Sequence, residues 1–318
     1  MRTAHPWVLP TQPASRALLL AAGVTEAMIR SRVRAGDLVP VRQGVYLSAA
    51  VWPAELSAQH LVRAHAEQMV NPESVISHQS AAVAWALPAP GFGDWRDLPV
   101  SVTLPVGGHS SRSRATIHRV GPLPAHHVQR DAEGYPVTSP ARTAVDLAAD
   151  LALPEALVVL DAAARRICES LVPRVRRRDY ANPRLAGAAT ALLIDAADRL
   201  RIARLRPTLA LVNATRESAA ESLSAGHMEL AGLPRPTFQP RIRTERGTFY
   251  PDCLWEGQGL IGECDGAVKY LDASAVVLER EREQVLRDLN YGIVRWQAKE
   301  IMTNPACVVD RIARALSL

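Results

Sequence analysis

The sequence predicts a multidomain protein of mixed α+β and α/β character, and three observations lead to this fold class. First, a chain of 318 residues is long enough for two or three domains with cores of their own. Second, it opens with two short helical segments followed by two short strands joined at a turn. Third, its last hundred or so residues read as α-β-β-β-α-β-α, the pattern of a mixed sheet covered by helices.

Composition excludes several other classes of protein. The chain is 48% hydrophobic and 22% charged, which is typical of folded globular domains. No uncharged apolar run approaches the roughly 18 residues of a membrane span, so we expect no membrane partner. The four cysteines show no CxxC pairing, and the opening MRTAHPWVLPTQ lacks the apolar core of a signal peptide. We therefore expect a cytoplasmic protein without disulfides or a zinc site.

Changes in pattern divide the chain into four predicted segments. They are a winged helix-turn-helix (1–52), a mixed middle domain (53–150), a helical connector (151–212) and a final sheet domain (213–318). Two residues, Lys269 and Lys299, are the only lysines, so arginine supplies nearly all of the positive charge behind the net +5. This balance permits a nucleic-acid partner without establishing one, because a GC-rich genome also favours arginine.

The first segment contains the predicted DNA-binding residues. A helix capped by Thr25 runs through Arg34, and Met28, Ile29 and Val33 form its apolar stripe. Its arginines lie away from that stripe, and a small hairpin follows in the order of a winged helix-turn-helix. The candidate DNA contacts are Arg30, Arg32, Arg34 and Arg42. The alternative is a small helical subdomain whose arginines are only solvated.

The stretch LIGECDGAVKY (Leu260–Tyr270) contains the predicted catalytic acids. Glu263 and Asp265 share one face of a strand, because side chains alternate along it. The preceding strand should pair with it as a hairpin and bring Asp252 close to Glu263, while Glu221 on the preceding helix can pack over the same end of the sheet. Four converging carboxylates repel one another unless they are protonated or bind cations. Oxygen ligands of this kind suit Mg²⁺ or Mn²⁺, which can promote phosphodiester hydrolysis.

Basic residues that follow the acids complete the predicted site. Lys269 lies just beyond the strand, where it could stabilise a pentacovalent phosphate or help deprotonate the attacking water. Arg280 or Arg282 on the next helix could bind the phosphate.

These residues resemble the PD-(D/E)XK nuclease superfamily, and within it the very-short-patch-repair-like group. The resemblance depends on Ser218-x-x-Glu221-Ser222, GLPRP, Pro251-Asp252, Gly262-Glu263-Cys264-Asp265-Gly266 and Lys269-Tyr270. It implies a restriction-endonuclease-like fold with Asp252 and Glu263 as metal ligands. Asp265 stands where the superfamily pattern has its lysine, which leaves the role of Lys269 open.

The region from about residue 15 to 150 is similar to AbiEi-type antitoxins of type IV toxin–antitoxin systems. The similar stretches are RAGDLVPVRQGVYL, SHQSAAVAWALP (Ser77–Pro88) and VTSPARTAVDLA (Val137–Ala148). The resemblance implies a winged helix that binds promoter DNA and a following domain that serves autoregulation or toxin neutralisation. Two hypotheses stay open: a metal-dependent DNA endonuclease, and a non-catalytic regulator or antitoxin with a toxin partner.

Overall fold

The chain forms two compact units, which are described separately. The computed structural model describes residues 7–266 and 273–317, and only the backbone of 273–280. The first unit comprises residues 1–87 and 94–143, and the second comprises residues 88–93 and 144–318. Among the described residues, none of the helices combines the length and apolarity that crossing a membrane requires.

The first unit contains two sheets with helices packed on them. Its elements are β1 (Ala14–Ser15), α1 (Arg16–Ala21), α2 (Glu26–Ala35), β2 (Leu38–Arg42), β3 (Val45–Ser48), α3 (Leu56–Val70), β4 (Val75–Ile76), α4 (His78–Ala84), β5 (Val100–Leu104), β6 (Ser111–Arg112), β7 (Thr116–Val120), β8 (Val128–Arg130), β9 (Pro136–Thr138) and α5 (Pro140–Ala148), along which the chain enters the second unit. The small sheet has the order β1-β3-β2, and the larger mixed sheet has the order β6-β7-β5-β4-β9-β8.

Local sequence explains the start and the end of α2. The Thr25 hydroxyl accepts a hydrogen bond from the Met28 amide at 3.3 Å, which is the predicted N-cap. Gly36 ends the helix at φ 78°, a left-handed conformation that glycine adopts without the penalty of a Cβ. The buried face of α2 packs through Ile29 against Ala14, Leu19 and Val24. The predicted helix and hairpin are therefore confirmed, and the arginines lie outside this core.

The second unit is a helical layer followed by a second mixed sheet. Its elements are α6 (Leu153–Leu171), α7 (Pro183–Arg199), α8 (Arg206–Leu209), α9 (Ala219–Leu230), β10 (Thr237–Phe238), β11 (Ile242–Thr244), β12 (Gly247–Phe249), β13 (Cys253–Trp255), β14 (Leu260–Asp265), α10 (Ala273–Asp288), β15 (Gly292–Gln297), α11 (Ala298–Thr303) and α12 (Pro305–Ala315). Its four-stranded sheet has the order β10-β13-β14-β15.

The α6 and α9 helices approach each other closely at Gly226. A Cβ built there would lie only 2.4 Å from the Cα of Pro154, so no side chain fits. The same two helices share the buried Asp161, which accepts hydrogen bonds from the Arg216 guanidinium and the Ser222 hydroxyl, both at 2.8 Å. A buried ion pair therefore connects α6 to the segment that leads into α9, and it fixes the position where α9 begins.

The four-stranded sheet positions the predicted acids. Strand β13 pairs antiparallel with β14, and β14 pairs parallel with β15 in a register that aligns Glu263 with Arg295. Helix α10 makes the connection between the two parallel strands, as a crossover requires. Trp255 and Trp296 fill the core on one side, and Ile261 packs against Leu286 on the other.

Two predicted strands of this domain are wrong in extent. In the sequence alone, Phe238–Arg243 and Thr248–Trp255 each have the pattern of one strand, but in the structure each is broken in two. The breaks contain Pro240 and Pro251, which have no N–H to donate to a ladder. The inner halves pair with each other as a separate hairpin, β11–β12.

The helical segment departs from expectation in the length of one helix. The Ala and Leu spacing in the sequence predicts a connecting helix over Leu185–Leu205, but α7 ends at Arg199 and Arg201 adopts φ 57°. The charged loop before it contains a short 3-10 helix, Arg177–Ala181. Backbone hydrogen bonds from Asp179 to Arg176 and from Asn182 to Asp179 therefore give this loop a regular structure.

Candidate functional site

Asp252 and Glu263 meet across the β13–β14 ladder, as the sequence predicts. The register pairs Cys253 with Gly262, so the residues one step outward, Asp252 and Glu263, come next to each other. The Asp252 Oδ2 atom accepts a hydrogen bond from the Cys264 amide at 2.8 Å. This bond fixes the Asp252 carboxylate at the end of β14, beside the buried Glu263.

Glu221 reaches the same end of the sheet from the first turn of α9. The Ser218 hydroxyl accepts from the Glu221 amide at 3.2 Å and donates to Glu221 Oε1 at 2.8 Å. The amide of Glu217, the residue before this N-cap, donates to Glu221 Oε2 at 3.0 Å. Glu221 therefore has a structural function at the helix start, whatever else it does.

Gln239 forms hydrogen bonds with both Glu221 and Asp252, and no sequence pattern identified it as a site residue. Its Nε2 donates to Glu221 Oε2 at 3.1 Å and to Asp252 Oδ1 at 3.2 Å. Its backbone has φ 50°, an uncommon conformation for a residue with a Cβ. One feature that could have drawn attention to it is Pro240, which ends the strand beside it.

Burial raises the pKa values of all three acids, and the charge of Asp252 adds to this effect at Glu221 and Glu263. Burial, and after it the charge of Asp252, raises the pKa of Glu263 to about 7. Burial is also the main cause that raises the pKa of Asp252. Burial and the charge of Asp252 together raise the pKa of Glu221. The cluster therefore has more negative charge than its surroundings balance, which is the condition that favours a bound cation.

Two arginines partly offset this charge. Arg282 on α10 donates to Glu263 Oε1 at 2.9 Å. Arg295 on β15 donates to Asp265 Oδ1 at 3.1 Å, so Asp265 has a cationic partner of its own further along the strand. The structure thus brings Glu221, Asp252 and Glu263 together and places Asp265 beside them in an ion pair.

The three acids are of the ligand type that the predicted metal requires, but their oxygen atoms are not yet arranged around one point. Three carboxylates are the hard oxygen ligands that Mg²⁺ and Mn²⁺ prefer. Within the described part of the chain, His65, Asp131 and Glu133 have ligand atoms that all lie within 4.8 Å of one another, whereas Glu221, Asp252 and Glu263 do not form such a group. For the acids to close around one ion, the Gln239 amide would have to move aside. Lys269 lies outside the described residues, as does the side chain of Arg280.

The predicted DNA-binding arginines divide into two groups. Arg30 and Arg34 on α2 are exposed. Arg32, also exposed, donates to Asp37 at 2.7 Å, an interaction within the helix-turn region. Surface pairs of this kind are weak, so Arg32 can exchange Asp37 for a phosphate at little cost.

Arg42, the fourth predicted DNA contact, is half-buried and already has an ion-pair partner. Its guanidinium forms an ion pair at 2.8 Å with Glu67, which is buried on α3. Glu67 also accepts from His118 on β7 at 2.8 Å and from Asn71 at 2.7 Å. Because a buried carboxylate without a counter-charge is costly, Glu67 needs the Arg42 guanidinium. This ion pair holds the hairpin to α3.

Comparison with known families supports one of the two predicted resemblances. Residues 94–209 match the family model described as AbiEi antitoxin C-terminal domain. The match confirms the predicted antitoxin resemblance for residues 94–150 but not for residues 15–93. It also continues through the segment predicted as a helical connector and ends before Glu221. The acids of the sheet domain lie outside the matched region.

Two relatives occur in Mycobacterium tuberculosis. The uncharacterized proteins MT2308 (strain CDC 1551 / Oshkosh) and Rv2248 (strain ATCC 25618 / H37Rv) are each 28% identical to this chain over 184 residues. The alignment covers 58% of this chain and 62% of each relative, so the chain spans less than two thirds of the length of the curated relatives that it matches.

Proposed function

We propose that this protein is a DNA-binding regulator of the antitoxin type that acts together with a toxin protein. The observation that carries the proposal is the match of residues 94–209 to the AbiEi antitoxin C-terminal domain. The N-terminal region supports it, because a capped helix with exposed arginines precedes a small hairpin there.

In this proposal α2 is the helix that docks on DNA. Arg30 and Arg34 are four residues apart and therefore lie on one face of the helix, where both can reach phosphates or base edges. Arg42 fixes the hairpin through Glu67 and makes no contact with DNA. The proposed docking surface therefore contains fewer arginines than the four that the sequence pattern indicated.

The test compares two matched pairs of arginines in the first unit. Arg30→Gln with Arg34→Gln removes two charges from α2, and Arg112→Gln with Arg114→Gln removes two exposed charges from the β6 region. Binding to the DNA upstream of the gene is measured by fluorescence anisotropy across a salt series. We expect the α2 pair to reduce the slope of log K against log salt by roughly 1.8 and the β6 pair to leave it unchanged.

Either of two results would remove the proposal. One is the absence of any DNA binding by the full chain at low salt. The other is an equal effect of both pairs, which would show that charge alone, and not α2, determines binding. The toxin arm is tested by co-expression with the product of the neighbouring gene, where growth rescue and co-purification are expected.

A second candidate function is metal-dependent hydrolysis of phosphodiesters in the sheet domain. The observation that favours it is the convergence of Glu221, Asp252 and Glu263 at one end of a mixed sheet, with raised pKa values. These three residues would hold Mg²⁺ or Mn²⁺, and Arg282 would bind a phosphate oxygen. A divalent ion bound there would lower the pKa of a bound water and offset charge on the phosphate. Lys269 retains its predicted role on the developing phosphate charge.

The order of elements in this domain is compatible with that candidate. Three antiparallel strands are followed by a helical crossover to a parallel fourth strand, β15. This is the arrangement expected from the PD-(D/E)XK resemblance, although many mixed sheets share it. The order of strands and helices therefore supports phosphodiester hydrolysis less strongly than the three carboxylates do.

The hydrolysis test uses supercoiled and single-stranded DNA with Mg²⁺, Mn²⁺ or a chelator. We expect nicking that depends on the metal and is abolished by Asp252→Asn and by Glu263→Gln. Glu256→Gln, in the exposed turn between β13 and β14 at the far end of that hairpin from the acids, is the matched control and should cut normally. If the wild-type chain binds DNA but leaves it intact with both metals, this candidate is discarded and the regulator remains.

A further inference from the structure

The arginine-rich segment of the second unit is ordered and faces solvent. We call residues 173–184, PRVRRRDYANPR, the arginine turn; it contains five arginines and one aspartate. Its backbone is set by the 3-10 helix Arg177–Ala181 and by the Arg176 amide, which donates to Asp179 at 2.7 Å. Arg174, Arg176 and Arg178 are exposed. The ordered backbone therefore keeps the attachment points of these exposed side chains within one short turn.

Arg177 connects this turn to the carboxylate site. Its guanidinium donates to Gln239 Oε1 at 2.6 Å, and Gln239 in turn donates to both Glu221 and Asp252. The same guanidinium lies over the Tyr250 ring, 4.7 Å from its centroid. The Gln239 side chain thus links the arginine turn to the acids, although Arg177 and Glu221 are 44 residues apart in sequence.

The β11–β12 hairpin continues the positive surface. Gln239 precedes this hairpin and Tyr250 follows it, so Arg177 sits at its base. The hairpin is anchored where Ile242 and Phe249 pack towards Leu286. Its outward side chains include three exposed arginines: Arg241, Arg243 and Arg246.

We propose that the arginine turn and the β11–β12 hairpin form a nucleic-acid-binding surface that holds the phosphate backbone beside the carboxylate site. The proposal rests on the proposed DNA-binding function and adds to it a contact surface in the second unit, apart from α2. Six exposed guanidinium groups, from two segments joined by Arg177, can contact several successive phosphates. Arginine suits this task because its planar, permanently charged fork matches phosphate oxygens.

The negative charge of the acids explains why a phosphate backbone needs arginines close by in order to approach them. Three buried carboxylates repel a polyanion, so a phosphate approaches them only where cations offset that repulsion. Arg282 is already paired with Glu263, and Arg295 with Asp265. The arginine turn and the hairpin supply the remaining positive charge next to the site, and they do so on exposed side chains that are accessible to a large ligand.

The experiment measures binding of the full chain to a fluorescein-labelled duplex of about 25 base pairs and arbitrary sequence, from about 50 to 200 mM NaCl. The turn pair is Arg174→Gln with Arg178→Gln, and the hairpin pair is Arg243→Gln with Arg246→Gln. The control pair is Arg199→Gln with Arg206→Gln, whose side chains are 60% and 61% exposed. Arg199 ends the helix that begins at the turn, which puts it about 24 Å away along the axis.

We expect the turn pair and the hairpin pair each to reduce the slope of log K against log salt by roughly 1.8, because each phosphate contact on duplex DNA contributes about 0.9. The control pair should leave the slope unchanged. The variant with Arg174→Lys and Arg178→Lys keeps the charge and should retain the wild-type slope, which separates loss of contact from loss of folding.

The outcomes distinguish this proposal from the function on which it rests. If the wild-type chain binds the duplex and all three glutamine pairs keep its slope, the surface proposal is wrong and the DNA-binding function stands. If the wild-type chain binds no duplex at any salt, both are wrong. If the turn pair keeps its DNA slope but loses a toxin protein in co-purification, the surface binds an acidic protein and the nucleic-acid proposal is overturned.

Discussion

Replacing Glu263 with glutamine isolates the electrostatic cost of the carboxylate cluster. The glutamine keeps the shape of the side chain and an oxygen that can accept from Arg282, but it has no charge to bury. Burial and the charge of Asp252 raise the pKa of Glu263 in the folded protein to about 7, against an ordinary value of 4.5. The folded protein therefore holds the Glu263 proton to a higher pH than the unfolded chain does.

The sign and size of the effect follow from this difference. Between pH 4.5 and about 7 the unfolded chain has already released the proton, so the free energy of unfolding of the wild-type protein falls as the pH rises. Above that range the cost is complete and amounts to about 3 kcal/mol, while at pH 5 it is under about 1 kcal/mol. Glu263→Gln should therefore stabilise the protein slightly at pH 5 and by about 3 kcal/mol at pH 8.

The assay is urea unfolding at pH 5, 6, 7 and 8 with a chelator present, followed by tryptophan fluorescence, since Trp255 and Trp296 are buried in the core of this domain. Glu245→Gln, at the exposed tip of the β11–β12 hairpin, is the control and should change stability equally little at every pH. A stability difference between Glu263→Gln and wild type that is constant across the pH series would refute the reasoning. So would a variant that is less stable than wild type at pH 8.

Three further substitutions test the packing that supports the site. Asp161→Asn leaves the buried Arg216 without its counter-charge and should lower the free energy of unfolding by about 3–5 kcal/mol, measured by urea unfolding; a loss under about 1 kcal/mol would contradict a buried ion pair. Gly226→Ala puts a methyl group against Pro154 and should lower the melting temperature by several degrees, whereas an unchanged melting temperature would mean that α6 and α9 separate easily. Gly262→Ala brings a Cβ within 2.6 Å of the Cys253 sulfur and should destabilise the sheet by about 1–3 kcal/mol in the same urea assay; full stability would show that the sheet core can repack.

Local patterns predicted the element order and most boundaries. Thr25 and Gly36 bracket α2. The sequence pattern alone indicates strands at Val100–Leu104 and Thr116–Val120, and β5 and β7 have these bounds, because capping and alternation depend on nearby residues. The proximity of Asp252 to Glu263 was also predictable, since a short turn fixes the register of a hairpin. These features need no knowledge of the rest of the fold.

What could not be predicted depends on contacts between distant segments. The ion pair of Arg42 with Glu67 joins a hairpin to a helix, and the pattern around Arg42 is the same whether it faces DNA or α3. Gln239 gains its position only when α9, the strand end and the arginine turn are assembled. Proline at two strand centres was visible in the sequence, but its consequence, a separate hairpin, required the pairing partners.

The close packing at Gly226 has a practical consequence for dissecting the protein. The family match ends at residue 209, yet α6 inside the match buries its face against α9 outside it. The match begins at residue 94, which leaves out β4, a strand from the middle of the six-stranded sheet. A fragment cut at these limits would expose one apolar helix face and two unpaired strand edges, both of which promote aggregation. The region matched by the family is therefore not a region that folds independently. Experiments on either proposed function, DNA binding or phosphodiester hydrolysis, need the full chain.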